Sequence, residues 1–389
     1  MIRSNSSKKK GVNYSHDMKG IKVYADNAAT SRLSDAAFNA MLPFLKDEYG
    51  NASQPYSFGR TAKKAIEEAR TQIAECIGAY PSEIVFTSCG SESNNWALKS
   101  YAEKHPHGAI ITSAIEHHSV LNALESLQGI DKHLLSVDKS GEVSIEELSC
   151  LLAQGKALVS IMMANNEIGT IQPISKISKL VHNHDCLFHC DAVQAIGHLP
   201  IDVKEIGVDY LSASAHKFNG PKGIGFLYVK NGSPITSLIS GGAQESHLRA
   251  GTENVASIVG MSVALQENVS SLQKNMTYIQ SLEKILLGQL TAAGIEFVHN
   301  GGTERTPGNI SLSFKGQNGE AILHRLDLKG ICVSTGSACD STSNQVSHVL
   351  KAIGLSPEYA EGTIRISLCH SNTIEDIAYL TANLIRVVS

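Results

Sequence analysis

The chain has no C-x-x-C pair. Its eight cysteines (Cys76, Cys89, Cys150, Cys186, Cys190, Cys332, Cys339 and Cys369) are scattered along the sequence. In a large chain without an export signal, that spacing favours free thiols over disulfides. Metal-ligand spacing is lacking as well: the sixteen histidines include His117-His118 and His182-x-His184 but form no Cys/His cluster, so no metal is expected. There is no basic excess; a net charge of -4 gives no support for nucleic acid as the main partner. No uninterrupted apolar run is long enough to span a bilayer, and no membrane partner is expected. Residues 1–10 are polar, carry Lys8-Lys9-Lys10 and lack the apolar stretch of a secretory signal. The expectation is a cytoplasmic chain with a solvated tail, Met18 being an alternative start.

What is present is 389 residues, 42% hydrophobic and 18% charged, an ordinary soluble composition with room for two domains. Ser34 reads as the N-cap of a helix over 34–45, and 59–78 reads as a second helix with Ala65, Ile66, Ala69, Ile73 and Ile77 near helical spacing. Strand-like runs follow at 83–87, 108–112, 157–163, 187–190, 208–211 and 226–229, separated by helical stretches. Such alternation predicts an α/β fold with a mostly parallel sheet covered by helices. After Asn254 one or two long helices cover 255–293, then come a strand at 309–314, a helix at 320–328 and a strand from Thr363.

Polar groups recur just past these strand ends: Ser91, His117, Asn166, Asp191, Gln194 and Lys217. Six such residues at one sheet's edge can converge on a single crevice. The turn Ser88-Cys89-Gly90-Ser91 leads from a strand into a helix expected from Glu92, either as a phosphate cup or as a plain N-cap. Lys217 lies among small residues between two apolar strands. It is either an amine desolvated enough to form a Schiff base with an aldehyde, or the tip of a strand-turn-strand hairpin pointing into water. An aspartate for a pyridine nitrogen, a phosphate cup and a lysine are the parts that pyridoxal 5'-phosphate requires.

Tyr-Ala-Asp-Asn-Ala-Ala-Thr at 24–30, Asn-Asn-Glu-Ile-Gly at 165–169, His-x-Asp-Ala-x-Gln at 189–194 and Ala-His-Lys-x-x-Gly-Pro-Lys-Gly at 215–223 together resemble the class V, fold-type-I pyridoxal phosphate enzymes. More narrowly, with Ser-x-Gly-Ser-Ala-Cys ending at Cys339, the chain resembles cysteine desulfurases of the NifS/IscS type. The likeness covers nearly everything beyond about residue 20. It implies a seven-stranded-type sheet sandwiched by helices in a large domain over 36–265. A smaller α+β domain from 1–35 and 266–389 would carry the cysteine loop at about 335–347.

The resemblance also implies roles. Lys217 carries the cofactor, Asp191 pairs with the pyridine nitrogen, and His117 stacks on the ring. Asn166 and Gln194 address the ring oxygen, while Gly90, Ser91, Ser214 and His216 hold the phosphate. Thr252 would reach the phosphate of the other subunit of a homodimer. Cys339, in a loop of small polar residues, would take the sulfur of L-cysteine as a persulfide. It would hand that sulfur to an acceptor protein such as an iron–sulfur scaffold or a tRNA-thiolation enzyme, with the persulfide in transient contact with an iron–sulfur cluster. Arg365, alone among apolar residues, would clamp the substrate carboxylate with help from Asn166, a surface salt bridge being the alternative. Another class V activity, selenocysteine lyase or aminotransferase, would not need Cys339. Three departures stand out: Ser-Cys-Gly-Ser at 88–91, a 241–249 loop without its usual arginine after Gln-Glu, and Asp340 after the cysteine.

Overall fold

A computed structural model describes residues 22–335 and 346–389. Cys339, Asp340 and Met18 lie outside the described residues. The strands in chain order are β1 (Val23–Tyr24), β2 (Ile84–Thr87), β3 (Ala109–Ser113), β4 (Asp131–Leu135), β5 (Ala157–Met162) and β6 (Leu187–Asp191), then β7 (Tyr210–Ser214), β8 (Gly225–Val229), β9 (Val298–His299), β10 (Asn309–Ser313), β11 (Ile331–Cys332) and β12 (Thr363–Ser367). Seven of them form one sheet in the order β2-β8-β7-β6-β5-β3-β4. The pairings from β7 through β6, β5 and β3 to β4 are all parallel. β8 alone is reversed, antiparallel to both β2 and β7.

The sequence explains this layout. β5 and β7 are buried along their whole length, as strands with both faces covered must be, and their near-continuous apolar and small residues suit that burial. β4 sits at the edge and keeps Asp131 and Leu134 exposed. The strand expected at 208–211 lies two to three residues further on, because Val208 and Asp209 lead in from the preceding turn.

The first four helices start or end on local signals. The α1 helix (Asp35–Lys46) is capped by Ser34, whose Oγ accepts from the Ala37 N–H. The α2 helix (Ser57–Cys76) ends before Gly78, which takes the left-handed φ of +72° that a side chain resists. The α3 helix (Gly90–Lys104) begins two residues before the expected Glu92, so Gly90 and Ser91 belong to its first turn. The α4 helix (His118–Ser126) starts with His117 as its cap. The long segment after Asn254 divides into two helices, Val255–Ser270 and Leu272–Ala292. Among the described residues no helix is long and apolar enough to cross a membrane.

A second layer contains the antiparallel sheet β12-β10-β9 and the parallel pair β1-β11. Its apolar core gathers Val23 and Ala25 with Leu282, Leu312, Ile364 and Leu384. The largest core, from Ala37 to Leu265, lies instead under the seven-stranded sheet.

Candidate active site

The carboxyl ends of the parallel strands open into a cavity of about 300 Å³. Lys217, His117, Gly90, Ser91, Asn166, Asp191, Gln194, Ser214, His216 and Arg365 all line it. All six residues of the strand-end reading thus meet at one place, together with Gly90, Ser214, His216 and Arg365. Thr252 is exposed and does not line the cavity. Cys339 lies outside the described residues.

Both readings of the lysine loop hold in part. β7 and β8 form a hairpin, and Lys217 sits in the short 3-10 turn Ala215–Lys217 between them. The side chain does not point into water: Nζ donates to the carbonyl oxygens of Ala28, at 2.6 Å, and Ala29, at 2.9 Å. Gln194 Nε2 donates to the same Ala28 oxygen at 3.0 Å. The back of the turn is fixed by His198, whose Nε2–H donates to the Lys217 carbonyl at 2.9 Å.

Asp191 ends β6 and is 5% exposed. Its Oδ1 accepts from the Val193 N–H at 3.0 Å and its Oδ2 from Asn94 Nδ2 at 2.7 Å. His117 faces the same space, and burial, followed by the positive charge of Lys217, holds its pKa below the ordinary histidine value despite Asp191. These influences together favour the neutral imidazole. Beneath the cavity floor His189 is fully buried between the Ser160 and Ser212 hydroxyls, and burial lowers it to about 3. Glu116, equally buried, accepts from Ser113 Oγ and the Met162 N–H and is pushed up to about 8 by burial.

The Gly90 end of the cavity suits an anion. The α3 helix has Cys89 at its N-cap and no side-chain cap, so first-turn N–H groups face the opening with the positive end of the helix dipole. A side chain at Gly90 would put its Cβ 2.5 Å from Val193 Cγ2. Ser214 Oγ is buried with no hydrogen-bond partner among the described residues, a donor awaiting an acceptor. His216 Nδ1 lies 3.2 Å from Thr30 Oγ1, and burial, with Lys217 and Lys222, lowers its pKa to about 4.

Arg365 lies on the cavity wall and makes a buried ion pair, not the surface salt bridge of the alternative. Its Nη2 donates to Asp26 Oδ1 at 2.7 Å and its Nη1 to the Asn166 carbonyl at 3.0 Å. Its Nε is buried without a partner among the described residues. Asp26 stood in a quoted motif without a role, and Asn94 and Ser119 were missed. Spacing was the available signal: Asn94 lies one helical turn past Gly90, and Ser119 two residues past a capping histidine.

The 241–249 loop, which lacks the expected arginine, is secured by other charges. Glu245 accepts a two-pronged bond from Arg70, at 2.8 and 2.6 Å, and another from the Phe86 N–H. Arg249 pairs with Glu92 at 2.9 Å. Burial works against the Glu92 carboxylate, but Arg249 and Ser88 outweigh it and leave its pKa lowered.

Residues on either side of the Cys339 segment are tied to the cavity walls. Ser334 pairs backbone to backbone with Arg365. Ser347 Oγ donates to Glu167 at 2.6 Å, and His348 Nε2–H donates to the Glu116 carbonyl at 3.0 Å.

The chain is similar to known proteins along nearly its whole length. The family model for class V aminotransferases matches residues 23–380. The cysteine desulfurase IscS of Dictyoglomus turgidum is 46% identical over 374 residues, 94% of each chain. A solved NifS-like protein superposes with a TM-score of 0.88 at 39% identity, covering 94% of this chain and 99% of its own. A structure described as SspA in complex with cysteine gives 0.80 at 37% identity, over 90% of this chain and all of the other. With a family model and relatives matching across nearly its whole length, the chain belongs to the cysteine desulfurases of the class V aminotransferase family.

Proposed function

We propose that the chain works as a homodimeric, cytoplasmic, pyridoxal-5'-phosphate-dependent enzyme that converts L-cysteine to L-alanine. The sulfur stays as a persulfide on Cys339 and passes to an acceptor protein, such as an iron–sulfur scaffold or a tRNA-thiolation enzyme. The observation that carries the reading is the convergence of Lys217, Asp191, His117 and the uncapped α3 terminus on one cavity, with Arg365 on its wall. The residues fit the cofactor. The partnerless Ser214 Oγ and the start of α3 suit a phosphate, Asp191 suits a protonated pyridine nitrogen, and Lys217 suits an aldehyde. Bound there, pyridoxal phosphate supplies the electron sink for the pair left on Cα.

The chain's own groups do the rest. Arg365 clamps the cysteine carboxylate, its Nε being the donor still unmatched. Lys217 Nζ takes the Cα proton. Cys339, as thiolate, attacks the substrate sulfur: an S–S bond forms as the Cβ–S bond breaks, and the Cβ–S pair ends with a proton in the methyl group of alanine. Neutral His117 is the proton carrier beside it. Ser334, paired to Arg365, lies five residues before Cys339, a chain length that reaches at most about 17 Å.

Thr252, exposed on its own chain, is assigned to the phosphate of the other subunit. The split of the apolar core near residue 265 supports a large domain over 36–265 and a smaller one from the remainder. The test is mass spectrometry after one turnover, in which the peptide containing Cys339 should gain one sulfur as one alanine forms. If alanine accumulates while that peptide stays unmodified, or if Cys339→Ser desulfurates cysteine at the wild-type rate, a lyase releasing free sulfide replaces this reading.

A further inference from the structure

Asn94 is 1% exposed, and its amide nitrogen spends both hydrogens on two different catalytic groups. One goes to Asp191 Oδ2 at 2.7 Å and the other to Ser119 Oγ at 2.8 Å. The orientation of the amide is forced, because an ionised carboxylate only accepts, and turning Oδ1 toward Asp191 would set two acceptors against each other. Oδ1 is left buried without a partner among the described residues. Having accepted from Asn94, Ser119 directs its own hydroxyl hydrogen to His117 Nδ1 at 2.8 Å. The Ser119 backbone N–H points at the same nitrogen from 3.1 Å. Two donors thus converge on Nδ1, which must be bare, and the ring proton belongs on Nε2.

We propose that Asn94 is a positioning residue that sets the tautomer of His117 through Ser119 while holding the Asp191 carboxylate, so that one buried amide keeps the two groups in register. The catalytic part of this inference rests on His117 facing the reacting cysteine; the tautomer does not. Protonating His117 at Nδ1 would require displacing a donor, so the relay resists the imidazolium. The charged groups around the ring act alongside it: Asp191 favours the charged ring, and Lys217, His118 and His348 disfavour it. Relaxing the relay leaves those influences and the Ser119 N–H in place and removes only the hydroxyl's share of the donor pressure at Nδ1.

The experiment is nitrogen-15 histidine NMR on the full-length deuterated protein, with and without pyridoxal phosphate, His117 being assigned by its loss in His117→Gln. Wild type should show a bare Nδ1 and a protonated Nε2 between pH 6 and 8. Asn94→Ala should show a larger Nδ1-protonated share than wild type, the Ser119 N–H alone then opposing it, and titrate His117 at higher pH by about half a unit or more. Ser119→Ala should reproduce the His117 change, and the double variant should add little to it, as coupled sites do. In turnover, Asn94→Ala should lose tenfold or more in kcat, with the acid limb of the kcat/KM profile moved upward and KM for cysteine changed less. An unaltered tautomer and an unmoved acid limb, with activity merely lowered, would overturn the proposal. If Asn94→Ala does not fold, the half-buried Ser119→Ala decides alone: a wild-type tautomer there overturns it. Wild type that makes no alanine would instead sink the desulfurase reading and leave the NMR result standing.

Discussion

Lys217 is met by two carbonyl oxygens, Ala28 and Ala29, that lie 189 and 188 residues earlier in the chain. Removing the amine leaves the Ala29 carbonyl without its donor, and Ala28 with Gln194 alone, at a site where water has restricted access. Each such loss costs about 1–3 kcal/mol when the group is buried. Lys217→Ala is therefore expected to abolish turnover and, in the cofactor-free protein, to lower the melting temperature as well. A calorimetric scan beside an alanine-release assay checks both, and an unchanged melt would show that the carbonyls find other partners. The same residue shows how far the sequence could be read. Its position past β7 followed from local pattern, because strand ends in such sheets open onto the ligand site. Its backbone partners could not be seen, since carbonyls carry no side-chain signature. Asp26 opposite Arg365 was hidden for a related reason: the pair is separated by 339 residues, and periodicity records only neighbours along the chain.

At the scale of elements, the junction of β2 with α3 carries the anion cup, and its geometry depends on a missing side chain. A Cβ at Gly90 would stand 2.5 Å from Val193 Cγ2 and 3.5 Å from Ser214 Cβ. Overpacking of that kind typically costs about 1–3 kcal/mol. Gly90→Ala should therefore weaken pyridoxal phosphate binding by about ten- to a hundredfold in a cofactor titration. Val193→Ala in the same chain should restore most of it. Failure of the second change to rescue the first would place the defect elsewhere in the helix start. The strands themselves were legible to within a few residues because apolar runs and turn residues alternate so regularly. The reversal of β8 was legible only as a hairpin, from the short stretch between two apolar runs. Asn94 carried the spacing of one turn past Gly90, but its partner Asp191 lies 97 residues further along the chain, beyond what local spacing records.

For the whole molecule, buried titratable groups set opposite limbs of the pH-stability curve. Glu116 is raised to about 8 in the folded protein from an ordinary 4.5. A raised carboxyl contributes fully below its unfolded pKa, and the contribution is lost as pH rises through the folded value, here mostly up to pH 8. His189, lowered to about 3, and His299, lowered to about 4, act in reverse: their contribution is present above about 6.5 and is lost as pH falls toward those values. Between pH 6.5 and 8 Glu116 should contribute up to about 1.4 kcal/mol per pH unit, in the same direction as Glu167 and Glu283, which burial also raises. Denaturant midpoints of wild type should fall across that window, and those of Glu116→Gln should stay flatter. Parallel curves would mean that Glu116 keeps its ordinary pKa inside the fold.

The segment from Val23 to Ser31 touches the newest and oldest parts of the chain at once. Val23 and Tyr24 pair with Ile331 and Cys332, Asp26 bridges to Ser367, and Ser31 binds the His216 carbonyl. A ribosome makes the first of these residues early and the last of their partners about 340 residues later. At 5–20 residues per second, that is a wait of roughly 20–70 s. Through most of synthesis the seven-stranded sheet can assemble around Lys217 while its two carbonyl partners have no anchored strand to hold them. The pocket is therefore finished by the release of the last stretch of chain, and a nascent protein cut short before β12 would carry the lysine, the aspartate and the histidine without a completed site.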